Sequence, residues 1–169
     1  LKTRLISGSP YLVFIDNVNR QNPECYRERG LEVSTSNLCS EITLFTDDNH
    51  SFVCVLSSLN LARYDEWKNW RGKSGLSVPQ LSTYFLDAVV EDFIHKASRI
   101  TSMGRAVRFA QKSRALGLGT MGLHLLYQQR GLPFASEEAR NLNKEVHDFI
   151  KTEAKEASRA LACEYGEPE

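Results

Sequence analysis

The chain has 169 residues, of which 41% are hydrophobic and 25% charged, and its formal net charge at pH 7 is +0. That length suffices for one domain with a sizeable core, and the neutral balance points away from nucleic acid and from a membrane surface as partners. No apolar run reaches the ~18 residues of a transmembrane helix, and the polar start Leu1-Lys2-Thr3-Arg4, followed by Ser, Gly and Pro, is no secretory signal.

The start at Leu1 and the stop at Gly166-Glu167-Pro168-Glu169 both read as cuts through a longer polypeptide, so residues 1–169 are taken as a single partial domain. Cys25, Cys39, Cys54 and Cys163 are widely spaced. Without a secretion signal, that pattern indicates a reducing compartment, the cytoplasm, rather than a disulfide framework.

Taken in order, Tyr11-Leu12-Val13-Phe14-Ile15 reads as a buried strand between Gly8/Pro10 and Asp16-Asn17. Residues 16–36 are polar, contain Pro23 and Gly30, and read as an irregular excursion. Phe52-Val53-Cys54-Val55-Leu56 is a second candidate strand, after the loop composition Thr46-Asp47-Asp48-Asn49-His50. Trp67 to Gly75 has the composition of a surface connection.

From Ser77 the period becomes helical. Ser77-Val78-Pro79-Gln80 resembles a capping box with proline in the first turn. Leu81, Phe85, Ala88, Val89 and Phe93 follow at helical spacing. Further helices are predicted over Arg105–Ala115 and Thr120–Gln129, the latter stopped by Gly131 and Pro133. In the last helix Ser136 is the predicted cap and Glu137 and Glu138 suit the positive end of the dipole. Leu142, Val146, Phe149, Ile150, Ala157 and Leu161 form its stripe. Strands and loops followed by helices make an α/β domain sampled over part of its length.

The segment with the most chemistry is Ser36-Asn37-Leu38-Cys39-Ser40-Glu41. On an extended backbone Asn37, Cys39 and Glu41 would project to one side. An amide, a thiol and a carboxylate would then face one ligand, the amide donating and accepting hydrogen bonds and the carboxylate removing a proton. Residue types alone leave the thiol open as nucleophile, redox group or hydrogen-atom donor. Taken singly, Cys39 reads equally as a small buried apolar side chain, and Glu41 as the solvent-facing residue of a strand.

Ser36 to Ile42 resembles the Asn-x-Cys-x-Glu signature of the ribonucleotide reductase catalytic subunit. Tyr11–Asn19, Phe52–Leu61 and Arg114–Gly122 are similar to family segments in the same order, so the resemblance spans nearly the whole chain. It implies part of a ten-stranded α/β barrel with a finger loop carrying the radical cysteine. It also implies that Cys39 forms a thiyl radical that abstracts the 3′ hydrogen of a ribonucleotide, that Glu41 takes the 3′-hydroxyl proton, and that Asn37 holds the sugar. Cys54 matches one redox-active thiol, whose partner lies outside the fragment. The implied enzyme is a class I ribonucleoside-diphosphate reductase large subunit, with the cobalamin-dependent class sharing the signature. Implied partners are a small subunit bearing a di-iron tyrosyl radical, the remaining segments of the large subunit, and a second large subunit as a dimer. ATP/dNTP effectors and thioredoxin or glutaredoxin complete the set. No cofactor or metal is expected on the fragment itself, and the fragment alone is expected to be inactive.

Two other readings compete: a small α/β binding module with structural cysteines, and an NAD-dependent dehydrogenase fragment built on Gly117-x-Gly119-x-x-Gly122. The charged, helical run before those glycines argues against the second. Between Asp92 and Glu137 every charged residue is basic, which reads as a solvated face pairing with acidic surface such as the final helix. A zinc site from Cys25, Cys39, His50 and Cys54 lacks ligand spacing.

Overall fold

A computed structural model describes residues 1–168. Three short helices come first: α1 (Lys2–Ser7), α2 (Ile15–Arg20) and α3 (Glu24–Glu28). After a long irregular stretch come β1 (Leu56–Asn60), a 3₁₀ turn and α4 (Tyr64–Trp67), then α5 (Val78–Ala97) and α6 (Gly104–Ser113). The chain ends through β2 (Gly117–Met121), α7 (Leu123–Gln129) and α8 (Glu137–Tyr165). The content is mixed α/β. β1 and β2 pair in parallel, with Leu56 opposite Gly117 and Asn60 opposite Met121. Parallel strands need a crossover, and α5 and α6 occupy it.

The strands pack against helices through two clusters. Leu59 and Leu61 join Tyr64, Leu126, Tyr127, Ala139, Leu142, Val146 and Ile150, which ties β1 and α4 to α7 and α8. Val90, Ile94 and Ala97 of α5 meet Val107 and Ala110 of α6. Both long helices start as their sequences predict. Ser77 accepts from the Gln80 amide at 3.3 Å while Gln80 Oε1 accepts from the Ser77 amide at 2.9 Å, which closes the capping box. The Ser136 hydroxyl accepts from the Ala139 amide at 3.1 Å.

Several expectations change. Tyr11–Ile15 is not a strand. Tyr11 to Phe14 are exposed and irregular, and Ile15 begins α2. No neighbouring strand lies beside this run among the described residues, so its β-prone side chains have no ladder to join. The second strand starts later than predicted, at Leu56, so Cys54 precedes it. Thr120 and Met121 belong to β2 rather than to a helix. Within the excursion, residues 16–36 hold α2 and α3.

On α5 the buried stripe is Thr83, Leu86, Val90, Ile94 and Ala97, whereas Phe85 is 65% exposed and Val89 is exposed too. Apolar residues flank that helix on both sides, so periodicity alone does not select the face that packs. Of the predicted α8 stripe, Leu142, Val146, Ile150 and Ala157 are buried, Phe149 packs partly against the core, and Leu161 is only half-buried.

The glycine run has a structural explanation. A Cβ on Gly117 would sit 2.4 Å from Leu56 Cδ2 across the sheet. Gly122 has φ +80 and faces Asn60 Oδ1 and the Ala62 amide so closely that a Cβ would lie 3.1 and 3.2 Å from them. Gly117 and Gly119 lie inside a strand instead of following one, unlike the turn that cradles a dinucleotide.

Candidate active site

The Asn37–Glu41 segment does not run extended. It folds into a tight turn, in which the Ser40 amide donates to the Asn37 carbonyl at 3.0 Å and Ser40 takes φ 63. The three-residue alternation expected of a strand is therefore replaced by a loop whose ends meet.

Side chains hold that loop closed. Asn37 Nδ2 donates to Glu41 Oε1 at 2.6 Å, and Asn37 Oδ1 accepts from the Ile42 amide at 3.1 Å. The Ser36 hydroxyl donates to the Ile42 carbonyl at 2.7 Å. Asn37 suits this position because its one amide both donates and accepts, bridging the carboxylate and the backbone. Leu38, 91% exposed, and the exposed Cys39 form the tip. The structure thus brings Asn37 and Glu41 together at the base of a turn and presents Cys39 at its apex.

Cys54 is also exposed, and not sheltered in a strand as its apolar neighbours suggest. Local desolvation, and after it the negative charge of Glu41, push its thiol above the ordinary value of 9.0. Glu41 is thus hydrogen-bonded to Asn37, and its charge is the lesser of the two influences that raise the Cys54 thiol. Cys25 lies in α3 and Cys163 in α8, both exposed. Among the described residues no group of three or more His, Cys, Asp or Glu is placed to hold a metal ion.

The segment is tied to the rest of the molecule by residues that composition did not single out. Asn19 acts as a false strand neighbour for Val33, donating to its carbonyl and accepting from its amide, each at 2.9 Å. Phe45 is 2% exposed, with ring centroids 5.1 Å from Phe109 of α6 and 5.6 Å from Tyr26. The Phe45 amide donates to the Tyr26 hydroxyl at 3.4 Å.

The basic run is not a simple solvated face opposite α8. Arg114 forms ion pairs with Asp87 at 2.8 Å and Glu91 at 2.7 Å, both on α5, and Arg130 pairs with Asp65 at 2.8 Å. Arg105 and Arg108 donate to the backbone carbonyls of Asp47 and Asn49.

A family model described as ribonucleotide reductase, barrel domain, matches residues 1–169, and the chain belongs to that family. More particularly, it is 42% identical over 168 residues to a putative ribonucleoside-diphosphate reductase large subunit of Frog virus 3, covering 99% of this chain and 29% of that protein. It is 36% identical over 166 residues to a vitamin B12-dependent ribonucleoside-diphosphate reductase of Mycobacterium tuberculosis, covering 94% of this chain and 21% of that protein. Among solved structures it resembles the Actinobacillus ureae class Id ribonucleotide reductase alpha subunit, with a TM-score of 0.90 and 40% identity over 99% of this chain and 31% of that one. The chain therefore spans less than a third of the length of these relatives.

Proposed function

We propose that this chain is the part of a ribonucleoside-diphosphate reductase large subunit that carries the radical thiol, seated on a finger loop within a ten-stranded α/β barrel. The observation that carries this reading is the Asn37–Glu41 hydrogen bond at 2.6 Å across the base of a turn whose exposed tip is Cys39. A donor–acceptor pair at the foot of a protruding thiol suits a sugar edge that carries adjacent hydroxyls.

In this reading Cys39, as a thiyl radical, takes the 3′ hydrogen atom of the ribose and becomes a thiol. Glu41 accepts the 3′-hydroxyl proton, and Asn37 holds the sugar by hydrogen bonding. The 2′-hydroxyl takes up a proton and leaves as water. A pair of thiols, of which Cys54 is one and the other lies elsewhere in the parent protein, closes to a disulfide and supplies two electrons; its two hydrogens protonate the departing 2′-hydroxyl and replace it at C2′, and Glu41 returns its proton to the 3′ oxygen. Cys39 then returns the hydrogen atom to C3′ and is a radical again.

Desolvation, and after it the Glu41 charge, raises the Cys54 thiol above its ordinary value of 9.0, which favours the protonated form that can donate hydrogen. The names of relatives as large or alpha subunits imply a small subunit. We assign it a di-iron tyrosyl radical as the radical source. ATP and dNTP effectors, a thioredoxin or glutaredoxin reductant and a dimer of large subunits in the cytoplasm complete the assembly.

The test is turnover by the complete large subunit with its small subunit. Cys39→Ser is expected to abolish reduction while leaving the melting temperature and nucleotide binding unchanged, and retained turnover overturns the radical role. Cys54→Ser is expected to permit hydrogen abstraction but block reduction, with free base released from the nucleotide. Normal multiple turnover overturns its redox role.

A further inference from the structure

Between Glu41 and Cys54 the chain reverses at residues 46–50, and the reversal is held by both side-chain and backbone hydrogen bonds. The Asp47 amide donates to the His50 carbonyl at 3.1 Å, and the Thr46 hydroxyl donates to the same carbonyl at 2.7 Å. Asp47 Oδ1 accepts from the amides of Asn49 and His50, each at 2.8 Å, and lies 2.9 Å from His50 Nδ1. This is the local side-chain capture of backbone that aspartate performs in turns.

The turn is then bolted to α6. Ser51 donates its amide to the Arg105 carbonyl at 3.2 Å, Arg108 Nε donates to the Asn49 carbonyl at 2.9 Å, and the Arg105 guanidinium donates to the Asp47 carbonyl. Directly before the turn, Phe45 is buried against Phe109 of the same helix. None of these contacts touches Cys39 or its turn. What they fix is the point from which one arm runs back to Glu41 and the other forward to Cys54. Extended chain advances roughly 3.3 Å per residue, so a slip of one residue at the reversal would shift Cys54 relative to Glu41 by about that much.

We infer that the Asp47–His50 turn, held on α6 by Arg105 and Arg108, is a positioning device that sets where the Cys54 thiol stands relative to the Glu41 carboxylate. Its functional meaning rests on the radical chemistry proposed above. Asp47, Arg105 and Arg108 are positioning residues, acting through the chain they hold and not on a substrate. A turn that is merely structural would contribute stability alone and leave the thiol's surroundings unchanged when altered elsewhere.

The experiment uses the complete, reduced large subunit and follows iodoacetamide alkylation of Cys54 at one fixed pH, located by peptide mass spectrometry. Glu41→Gln, which removes the charge, is expected to raise the Cys54 rate and marks its upper limit. Asp47→Ala is expected to raise the Cys54 rate several-fold towards that limit. Asp47→Asn, which still accepts from the two amides, is expected to restore it, and Asp48→Ala beside it to leave it unchanged. With the small subunit added, Asp47→Ala is expected to lower kcat roughly ten- to hundredfold with KM unchanged, the scale of a misplaced reacting group.

A parental Cys54 rate in folded Asp47→Ala overturns the inference. If that variant does not fold, Arg108→Ala replaces it under the same criterion. The functional reading fails separately, through turnover by Cys39→Ser, and in that case the alkylation rates still decide whether the turn positions the thiol.

Discussion

The molecule holds its two halves by different means. From residue 56 onward, strands and helices are joined by apolar clusters, with Leu61, Leu86, Leu126 and Val146 fully buried. Before residue 56, the buried hydrophobic side chains are Val33 and Phe45 alone. That half is shaped instead by single polar side chains that stand in for missing strand neighbours: Asn19 for Val33, Asn37 for Ile42 and Asp47 for Asn49 and His50. Apolar packing is non-directional and tolerant. Hydrogen bonds fix direction and register but contribute only about 0.5–1.5 kcal/mol each. The candidate site therefore sits in the half built for geometry, resting on the half built for stability.

Phe109 is where the halves meet, and its truncation gives the largest expected effect. Phe109→Ala should lower unfolding free energy by about 3–5 kcal/mol and loosen both halves, as read by denaturant unfolding and amide exchange. A loss confined to α6 would break the comparison.

Asn19→Ala comes next, with a loss of about 1–3 kcal/mol from leaving the Val33 peptide unpartnered. Its exchange signature should be local: the Val33 amide exchanges faster while α8 amides keep their protection. Ser77→Ala removes a cap from the stable half and should lower the unfolding free energy by about 1 kcal/mol without altering Cys54 alkylation.

The smallest effect is one of pH. The Asn49 amide foremost, with His50, holds the Asp47 carboxyl below its ordinary value of 3.8. A lowered folded-state value means that the contribution is present above the unfolded value and fades as pH falls through the folded one. The Asp47 side-chain carboxyl carbon, followed by NMR, should accordingly titrate with its midpoint below about pH 4, and a midpoint above it would contradict the turn geometry.

The stable half was the more legible in sequence. Ser77 with Gln80, and Ser136 ahead of an apolar stripe, encode helix starts in residue types that act on their own neighbours. Strands were harder, because pairing depends on a second segment. Tyr11–Ile15 has the composition of a strand and no partner among the described residues, while Gly117–Met121 has the composition of a loop and is a strand because Leu56–Asn60 lies beside it. At the candidate site the residues Asn37, Cys39, Glu41 and Cys54 were legible as types. Their arrangement was not, since the turn depends on Ser40 adopting a left-handed conformation and on Asn37 reaching back across it. Asp47, Arg105 and Arg108 were invisible as a group, because residues 58 apart or more in sequence meet only through the fold.

The bond between Asn37 and Glu41 gives the loop a lock that is also a template. At rest the amide hydrogen and the carboxylate oxygen satisfy one another, so any molecule that separates them must return one donor to Glu41 and one acceptor to Asn37. A neighbouring pair of hydroxyls does both at once and leaves the exchange nearly even. A molecule that offers only one of them leaves a partner unmatched. In the proposed reading, selection at this loop would begin with a swap of like for like, before any chemistry takes place.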